Sequence, residues 1–137
     1  AGKKRSLKPM VRRLRAAGID VSLFIEADPR QIDTAAELEA PTIELHTGAF
    51  CDARSKAVAQ RLLRRLIAGA ERAHKRGLRV NAGHGINLEN LPAVLDIPWL
   101  DTLNIGHSIV ARALLVGMKE AVREMLRAMA PYRGWPE

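Results

Sequence analysis

The segments LRVNAGHG at residues 78–85 and TLNIGHS at residues 102–108 decide the fold. Each begins with a short apolar run, at 78–82 and 102–105, which is typical of a buried β-strand. Each run ends in a turn that pairs glycine with histidine, and apolar residues at helical spacing follow it. A strand, a turn and a helix in this order predict a β–α unit, which here occurs twice.

The same pattern extends upstream to two further predicted strands, at 20–26 and 41–46. A helix at 10–17 precedes the first of them, and a polar loop at 47–55 follows the second. The other helices are predicted from apolar residues at helical spacing. The first, at 29–39, buries Ile32, Ala35, Ala36 and Leu38, and the second, a long helix that ends at Gly77, carries on one stripe Val58, Leu62, Leu63, Leu66, Ile67, Ala70 and Ala73. The third is a short helix that is capped by Asn87 and contains Leu91, Val94 and Leu95. The last helix is ended by Pro131 and buries Leu114, Leu115, Met118, Val122, Met125, Leu126 and Met129.

Strands that alternate with helices predict an α/β fold with a parallel sheet and crossover helices. Two architectures fit, an open doubly wound sheet and part of a (β/α)8 barrel. A complete barrel takes about 250 residues, whereas this chain has 137. We therefore expect one unit over residues 1–130, half of a barrel, and a tail over 131–137. The chain begins with Ala1 instead of Met, from which we expect a piece of a longer protein; removal of an initiator Met is the alternative.

The composition limits the partners and the compartment. The formal charge of +7 and pI of about 10.3 suit nucleic acid, a membrane surface or anionic small molecules. Two Phe, two Trp and one Tyr supply no platform for stacking bases, so nucleic acid is not expected. The sequence shows no membrane span or signal peptide, and Cys51 as the single cysteine favours a reducing, cytoplasmic compartment.

Polar residues follow every predicted strand, at the end that forms the active face of parallel α/β folds. These residues are Glu26, Asp28, Glu44, His46, Thr47, Asn81, His84, Asn104 and His107. In the fourth junction, Gly106 permits close approach of a ligand, and the next helix offers free N–H groups to a phosphate. Gly85 belongs to a similar junction beside His84. Two consecutive Gly/His junctions predict a phosphate site, although a tight turn with a helix cap explains each one alone.

Two of these residues have side chains suited to catalysis. His84 could act as a general acid or base, or could simply hydrogen-bond a backbone carbonyl in its turn. Glu44 alternates with Ile43 and Leu45, so it lies on the same side of its strand as His46 and needs a partner there. Glu44 could polarise the adduct of a substrate carbonyl or hold a water, or it could belong to a structural ion pair.

Metal and cofactor chemistry finds little support in the sequence. Glu44, His46, His84 and His107 are ligand types that suit zinc, but they are spread over three strands with no close-spaced motif. The chain has no GxGxxG and no P-loop for a dinucleotide or ATP. We therefore expect no metal and no cofactor. A nucleophilic role for Cys51 is not expected either, because no base pattern surrounds it.

In combination and order, four blocks resemble the pyridoxine 5'-phosphate synthase family. The blocks are VSLFIEAD at 21–28, PTIELHTGAFCDA at 41–53, LRVNAGHGINLENL at 78–91 and LNIGHSIVARALLVGMKEAV at 103–122. The resemblance implies the second half of a (β/α)8 barrel, in a family that is typically a cytoplasmic homo-octamer without metal or cofactor. Its reaction condenses 1-deoxy-D-xylulose 5-phosphate with 3-amino-2-oxopropyl phosphate to give pyridoxine 5'-phosphate, phosphate and water.

The resemblance also implies roles for individual residues. His84 matches the family's proton donor, and Glu44 matches the glutamate that stabilises the transition state. Gly85, Gly106 and His107 match the contacts to the aminoketone phosphate. The motifs of the family's first half, with its other catalytic residues, are absent from this sequence, so we expect no turnover by the isolated chain.

Two other hypotheses remain open at this stage. A half-barrel could bind phosphorylated ligands without catalysis and pair with itself or another chain, because its open strand edges demand a partner. Alternatively, the basic chain could be a nucleic-acid-binding module, which a steep loss of DNA affinity with salt would reveal.

Overall fold

A computed structural model describes residues 4–132 and 134 of the chain. Its helices and strands alternate over nearly the whole length. In chain order they are α1 (Lys4–Ala16), β1 (Ser22–Ile25), α2 (Pro29–Glu37), β2 (Thr42–His46), α3 (Gly48–Cys51), α4 (Lys56–Lys75), β3 (Arg79–Gly83), α5 (Leu91–Val94), β4 (Leu100–Asn104), α6 (His107–Val116) and α7 (Met118–Met129).

The four strands form one parallel sheet in the order β1-β2-β3-β4. Each strand therefore pairs with its neighbour in sequence, as successive strands do around a (β/α)8 barrel. The register places Phe24 opposite Glu44, and Glu44 opposite Asn81. The prediction of four parallel strands alternating with helices, half of such a barrel, is confirmed.

Alternate residues of each strand separate onto two unlike faces. Ile43 and Leu45 of β2 and Val80 and Ala82 of β3 are at most 1% exposed and belong to the main hydrophobic core. We call this the helix-covered face, because side chains of α2, α4, α5 and α7 pack in the same core. The opposite, open face carries Phe24 and the polar side chains that follow: Glu26, Glu44, His46, Asn81, Thr102 and Asn104.

The ends of the helices follow local sequence signals. The Asp28 carboxylate accepts hydrogen bonds from the backbone N–H groups of Arg30 and Gln31, at 2.9 and 3.1 Å, as an N-cap does. Pro29 occupies the first position of α2, where its missing N–H costs nothing. Gly77, with φ of 72°, follows the C-terminus of α4 and allows the chain to turn into β3.

Several predicted boundaries near the site are corrected. Strands β1 and β4 occupy 22–25 and 100–104, where 20–26 and 102–105 were predicted. The predicted loop at 47–55 contains the one-turn helix α3. Its polar and glycine residues resemble a loop in sequence, but Phe50 is buried in the core and holds the segment as a turn of helix.

The prediction of one long last helix is wrong. Gly117 has φ of 81° and divides the segment into α6 and α7. Met125 is buried as predicted, but Leu114 and Leu115 are 84% and 80% exposed. Met118, Val122 and Leu126 are exposed as well, whereas Met129 is partly buried against the core. The break redirects the chain, so the two apolar stripes do not share one core.

The C-terminal segment returns to the sheet. The N–H of Leu100, at the start of β4, donates to the Tyr132 hydroxyl over 2.7 Å, and burial raises the pKa of that hydroxyl. The predicted boundary at residue 130 stays a prediction, because residues 1–3, 133 and 135–137 lie outside the described residues. Among the residues that the structure describes, the helices are too short or too polar to cross a membrane.

Candidate functional site

A cleft of about 570 Å³ lies at the C-terminal ends of β3 and β4. The two Gly/His junctions both contribute to its wall, because both follow neighbouring parallel strands. The lining residues are Phe24, Glu44, Asp52, His84, Gly85, Ile86, Asn87, Asn104, Ile105, Gly106, His107 and Ser108. All five residues singled out from the sequence, Glu44, His84, Gly85, Gly106 and His107, are among them.

The Glu44 carboxylate has an amide as its partner. Asn104 Nδ2, two strands away, donates to Glu44 Oε2 over 2.7 Å. Gly83 lies between them on β3, and a Cβ there would be 2.3 Å from Glu44 Oε1. The residue must be glycine for the carboxylate to reach across the strand. Because the Asn104 amide is neutral, this hydrogen bond does not compensate the negative charge of the Glu44 carboxylate at the cleft wall.

The turn that carries His84 is fixed from beneath by Thr47. The Thr47 side chain is fully buried, and its hydroxyl lies 2.7 Å from the carbonyl oxygen of Gly83 and 2.6 Å from that of His84. Its backbone N–H donates to the Gly83 carbonyl as well, over 2.9 Å. His84 has φ of 82°, which is unusual for a residue with a side chain. This anchored turn holds the imidazole at the cleft.

Gly85 continues the same turn with φ of 80°. A Cβ at this position would lie 2.8 Å from Cys51 Cβ, so both the backbone angle and the space require glycine. The Asn90 side-chain amide donates to the Gly85 carbonyl over 3.0 Å. Asn90 thereby fixes the peptide that follows Gly85, one residue beyond the catalytic candidate His84.

The second wall of the cleft is the start of α6. The helix begins at His107, directly after Gly106, so its first N–H groups lack partners within the helix. The Ser108 hydroxyl donates to the Ile86 carbonyl over 2.6 Å and ties this helix start to the first junction. His107 is exposed beside Gly106. The arrangement offers a positive helix end and an imidazole to an anion.

A contact between β1 and β2 was not predicted from the sequence. His46 Nδ1 lies 2.6 Å from Glu26 Oε1, and the His46 ring lies 4.9 Å from the His84 ring at an interplanar angle of 78°. Both residues end strands, which was the available signal, but their pairing depends on β1 and β2 being neighbours. The same holds for Asn104 as the partner of Glu44.

Cys51 and the remaining histidine lie outside the cleft lining. Burial raises the pKa of the Cys51 thiol, Thr47 opposes the shift, and Asp52 adds to it. At neutral pH the group is therefore a thiol, which is a poor nucleophile. His74, on α4, stacks on Trp99 with ring centroids 4.4 Å apart. Within residues 4–132 and 134, no three His, Cys, Asp or Glu side chains group closely enough to hold a metal ion.

Comparison with known proteins gives a consistent family. Residues 1–131 match the profile of the family described as "Pyridoxal phosphate biosynthesis protein PdxJ". The chain is 52% identical over 129 residues to the pyridoxine 5'-phosphate synthase of Crocosphaera subtropica (strain ATCC 51142 / BH68). The alignment covers 94% of this chain and 54% of that relative, so the chain spans about half the relative's length.

The family profile covers nearly the whole chain, and the blocks that carry the resemblance are those that line the cleft. We conclude that the chain belongs to the pyridoxal phosphate biosynthesis protein PdxJ family.

Proposed function

We propose that this chain supplies one half of the active site of a pyridoxine 5'-phosphate synthase, in vitamin B6 biosynthesis. The substrates would be 1-deoxy-D-xylulose 5-phosphate and 3-amino-2-oxopropyl phosphate, and the products pyridoxine 5'-phosphate, phosphate and water. The observation that carries the proposal is convergence: Glu44, His84, Gly85, Gly106 and His107 all line one cleft.

His84 is the proposed proton donor. The reaction releases water and phosphate, and a departing oxygen leaves more easily when a nearby acid protonates it. His84 is exposed at the cleft on a turn that Thr47 anchors, so its imidazole can meet a substrate without rearrangement of the sheet. Histidine also exchanges protons in the neutral pH range.

Glu44 is proposed to stabilise positive charge that develops as the amine of the aminoketone condenses. Its carboxylate faces the cleft and is oriented by the Asn104 amide. An oriented charge of this kind favours the transition state more than the ground state, because the charge on the substrate is larger there.

Gly85, Gly106 and His107 are proposed to bind the phosphate of the aminoketone. The N–H groups at the start of α6 and the imidazole of His107 are hydrogen-bond donors on one wall. Gly106 lets the phosphate approach the backbone, because a side chain would otherwise project from that position. The chain's net charge of +7 also favours anionic substrates.

The isolated chain is proposed to be inactive. It spans 54% of the synthase from Crocosphaera, and the family motifs of the first half have no counterpart in the sequence. We propose that it works in the cytoplasm within a homo-oligomer, together with the other half of the barrel. The strands β1 and β4 each have an edge that no other described strand pairs, which also favours the alternative function, a non-catalytic half-barrel that binds phosphorylated ligands.

Reconstitution tests the proposal. The chain is mixed with the N-terminal half of the Crocosphaera synthase, complex formation is checked by size-exclusion chromatography, and turnover of both substrates is measured. We expect turnover by the complex only, and a large loss with His84→Asn but not with the control His74→Asn. Turnover by the isolated chain would contradict the half-site proposal, and a formed complex without turnover would favour the non-catalytic alternative.

A further inference from the structure

We propose that Glu26 and His46 form a positioning pair that fixes the orientation of the His84 ring. This inference rests on the proposed function in one respect, the role of His84 as proton donor. The pair lies outside the cleft lining, at the ends of β1 and β2, and His46 contacts the lining residues His84 and Phe24. Neither residue is assigned a role by the family motifs quoted above.

The contact between the two side chains is short and directional. His46 Nδ1 and Glu26 Oε1 are 2.6 Å apart, which is typical of a hydrogen bond strengthened by charge. An ionised carboxylate can only accept, so the hydrogen must reside on Nδ1 of His46. In the neutral ring the second nitrogen, Nε2, is then an acceptor without a hydrogen. The carboxylate therefore selects one tautomer of His46.

The His46 ring is in turn held between two other rings. Phe24 packs on it with centroids 5.0 Å apart, and His84 lies nearly perpendicular to it at 4.9 Å. Such tilted contacts favour one mutual orientation of aromatic rings. A rotation of His46 would consequently displace His84, which is exposed at the cleft.

Gly48 permits the two imidazoles to approach. A Cβ on residue 48 would lie 2.6 Å from His46 Nε2 and 2.8 Å from His84 Cδ2. Both ring atoms thus border the same small space above α3, which a glycine leaves empty. The unprotonated Nε2 of His46 faces this space, on the side where His84 lies.

The surrounding charges leave Glu26 as the partner of His46. Arg65 of α4 borders a small cavity together with Glu26 and His46, and Asp52 and Glu44 face the His84 side. Among the described residues, Glu26 is the only one that forms an ion pair with His46. Glu26 is half exposed, so its replacement removes the hydrogen bond without opening the hydrophobic core.

The test is the tautomer of His46, measured by ¹⁵N NMR of the imidazole nitrogens in the complete chain. The spectra are recorded at about pH 8, above the ordinary histidine range near 6.5. We expect the wild-type His46 to carry its hydrogen on Nδ1. In Glu26→Ala we expect loss of that preference and a changed chemical shift of the His84 ring. The control Glu37→Ala removes a carboxylate paired with Lys4 on α1 and should change neither ring.

Each outcome decides the inference. An unprotonated Nδ1 of His46 in the wild-type chain would overturn the inference without any variant. Unchanged chemical shifts of the His84 ring in Glu26→Ala would overturn it as well. Unchanged thermal unfolding of Glu26→Ala confirms that the ring shift is local. Addition of inorganic phosphate to the wild-type chain separates the two proposals. If phosphate shifts neither the Gly106 nor the His107 signals, this counts against the proposed function. The tautomer of His46 tests the positioning pair alone.

Discussion

The two faces of the sheet differ in almost every property, although the same strands supply both. On the helix-covered face, Ile43 and Leu45 are fully buried in the core. On the open face, between them in sequence, Glu44 reaches an amide 60 residues away, and Phe24 opposite it is 55% exposed. A strand period of two places these unlike residues side by side.

This difference separates stability from chemistry. Burial of apolar area on the helix-covered face supplies most of the free energy of folding, because the hydrophobic effect scales with buried area. The open face contributes little apolar burial and keeps its polar groups at the C-terminal strand ends. Substitutions on the two faces should therefore change different measured quantities.

The largest expected loss of stability is that of Leu45→Ala, on the helix-covered face. Removal of a fully buried leucine should lower the free energy of unfolding by about 2–5 kcal/mol, because a cavity remains in the core. Phe24→Ala on the open face should lower it by less than about 1 kcal/mol, because the ring is already half in water. Urea denaturation of both variants measures the difference. Similar losses from the two variants would show that the faces are not distinct in stability.

A smaller loss of stability is expected when one glycine in each of the two Gly/His junctions is replaced by alanine. Gly83→Ala places a Cβ 2.3 Å from Glu44 Oε1 and 3.0 Å from the Asn104 carbonyl oxygen. The resulting displacement should cost about 1–3 kcal/mol and should break the hydrogen bond between Glu44 and Asn104. The Cβ of Gly106→Ala meets no heavy atom within 4 Å in the described part of the chain, apart from its neighbours in sequence. Thermal unfolding should show a clear loss for the first variant and almost none for the second.

The smallest effect concerns the ion pairs between α1 and Glu39, which follows α2 and does not line the cleft. Hydrogen bonds from Arg12 and Lys8 lower the pKa of Glu39 to about 2, from an ordinary value of 4.5. Because the folded pKa is the lower one, the stabilisation is complete above pH 4.5 and is lost as the pH falls towards 2. Glu39→Gln should flatten the decline of Tm over this interval and leave phosphate binding unchanged. A decline as steep as in the wild-type chain would show that other carboxylates dominate it.

The sequence predicted the fold and the position of the site because both depend on local patterns. The period of two in 41–46 places Glu44 and His46 on one side, and the structure has them there. The turns at Gly85 and Gly106 follow predicted strands directly, so parallel pairing was enough to bring them together.

The two missed hydrogen bonds depend on which elements are neighbours. The partners of Glu44 and His46 come from β4 and β1, so strand order and register were needed to find them. The error in the last helix has another cause. Apolar residues such as Leu114 and Leu115 show that a helix face is apolar, but the pattern does not say whether the same chain covers it.

The most direct test of the account is a titration of the ¹⁵N-labelled chain with inorganic phosphate, followed by backbone NMR. If the open face ends in a phosphate site, the amide signals of Gly85, Gly106 and His107 shift together and saturate. His107→Ala should weaken binding by roughly tenfold, the value of one hydrogen bond to a charged group, and the control His74→Ala should not. Shifts confined to the basic helix α1, or none that saturate, would contradict the central claim that the two junctions form one anion site.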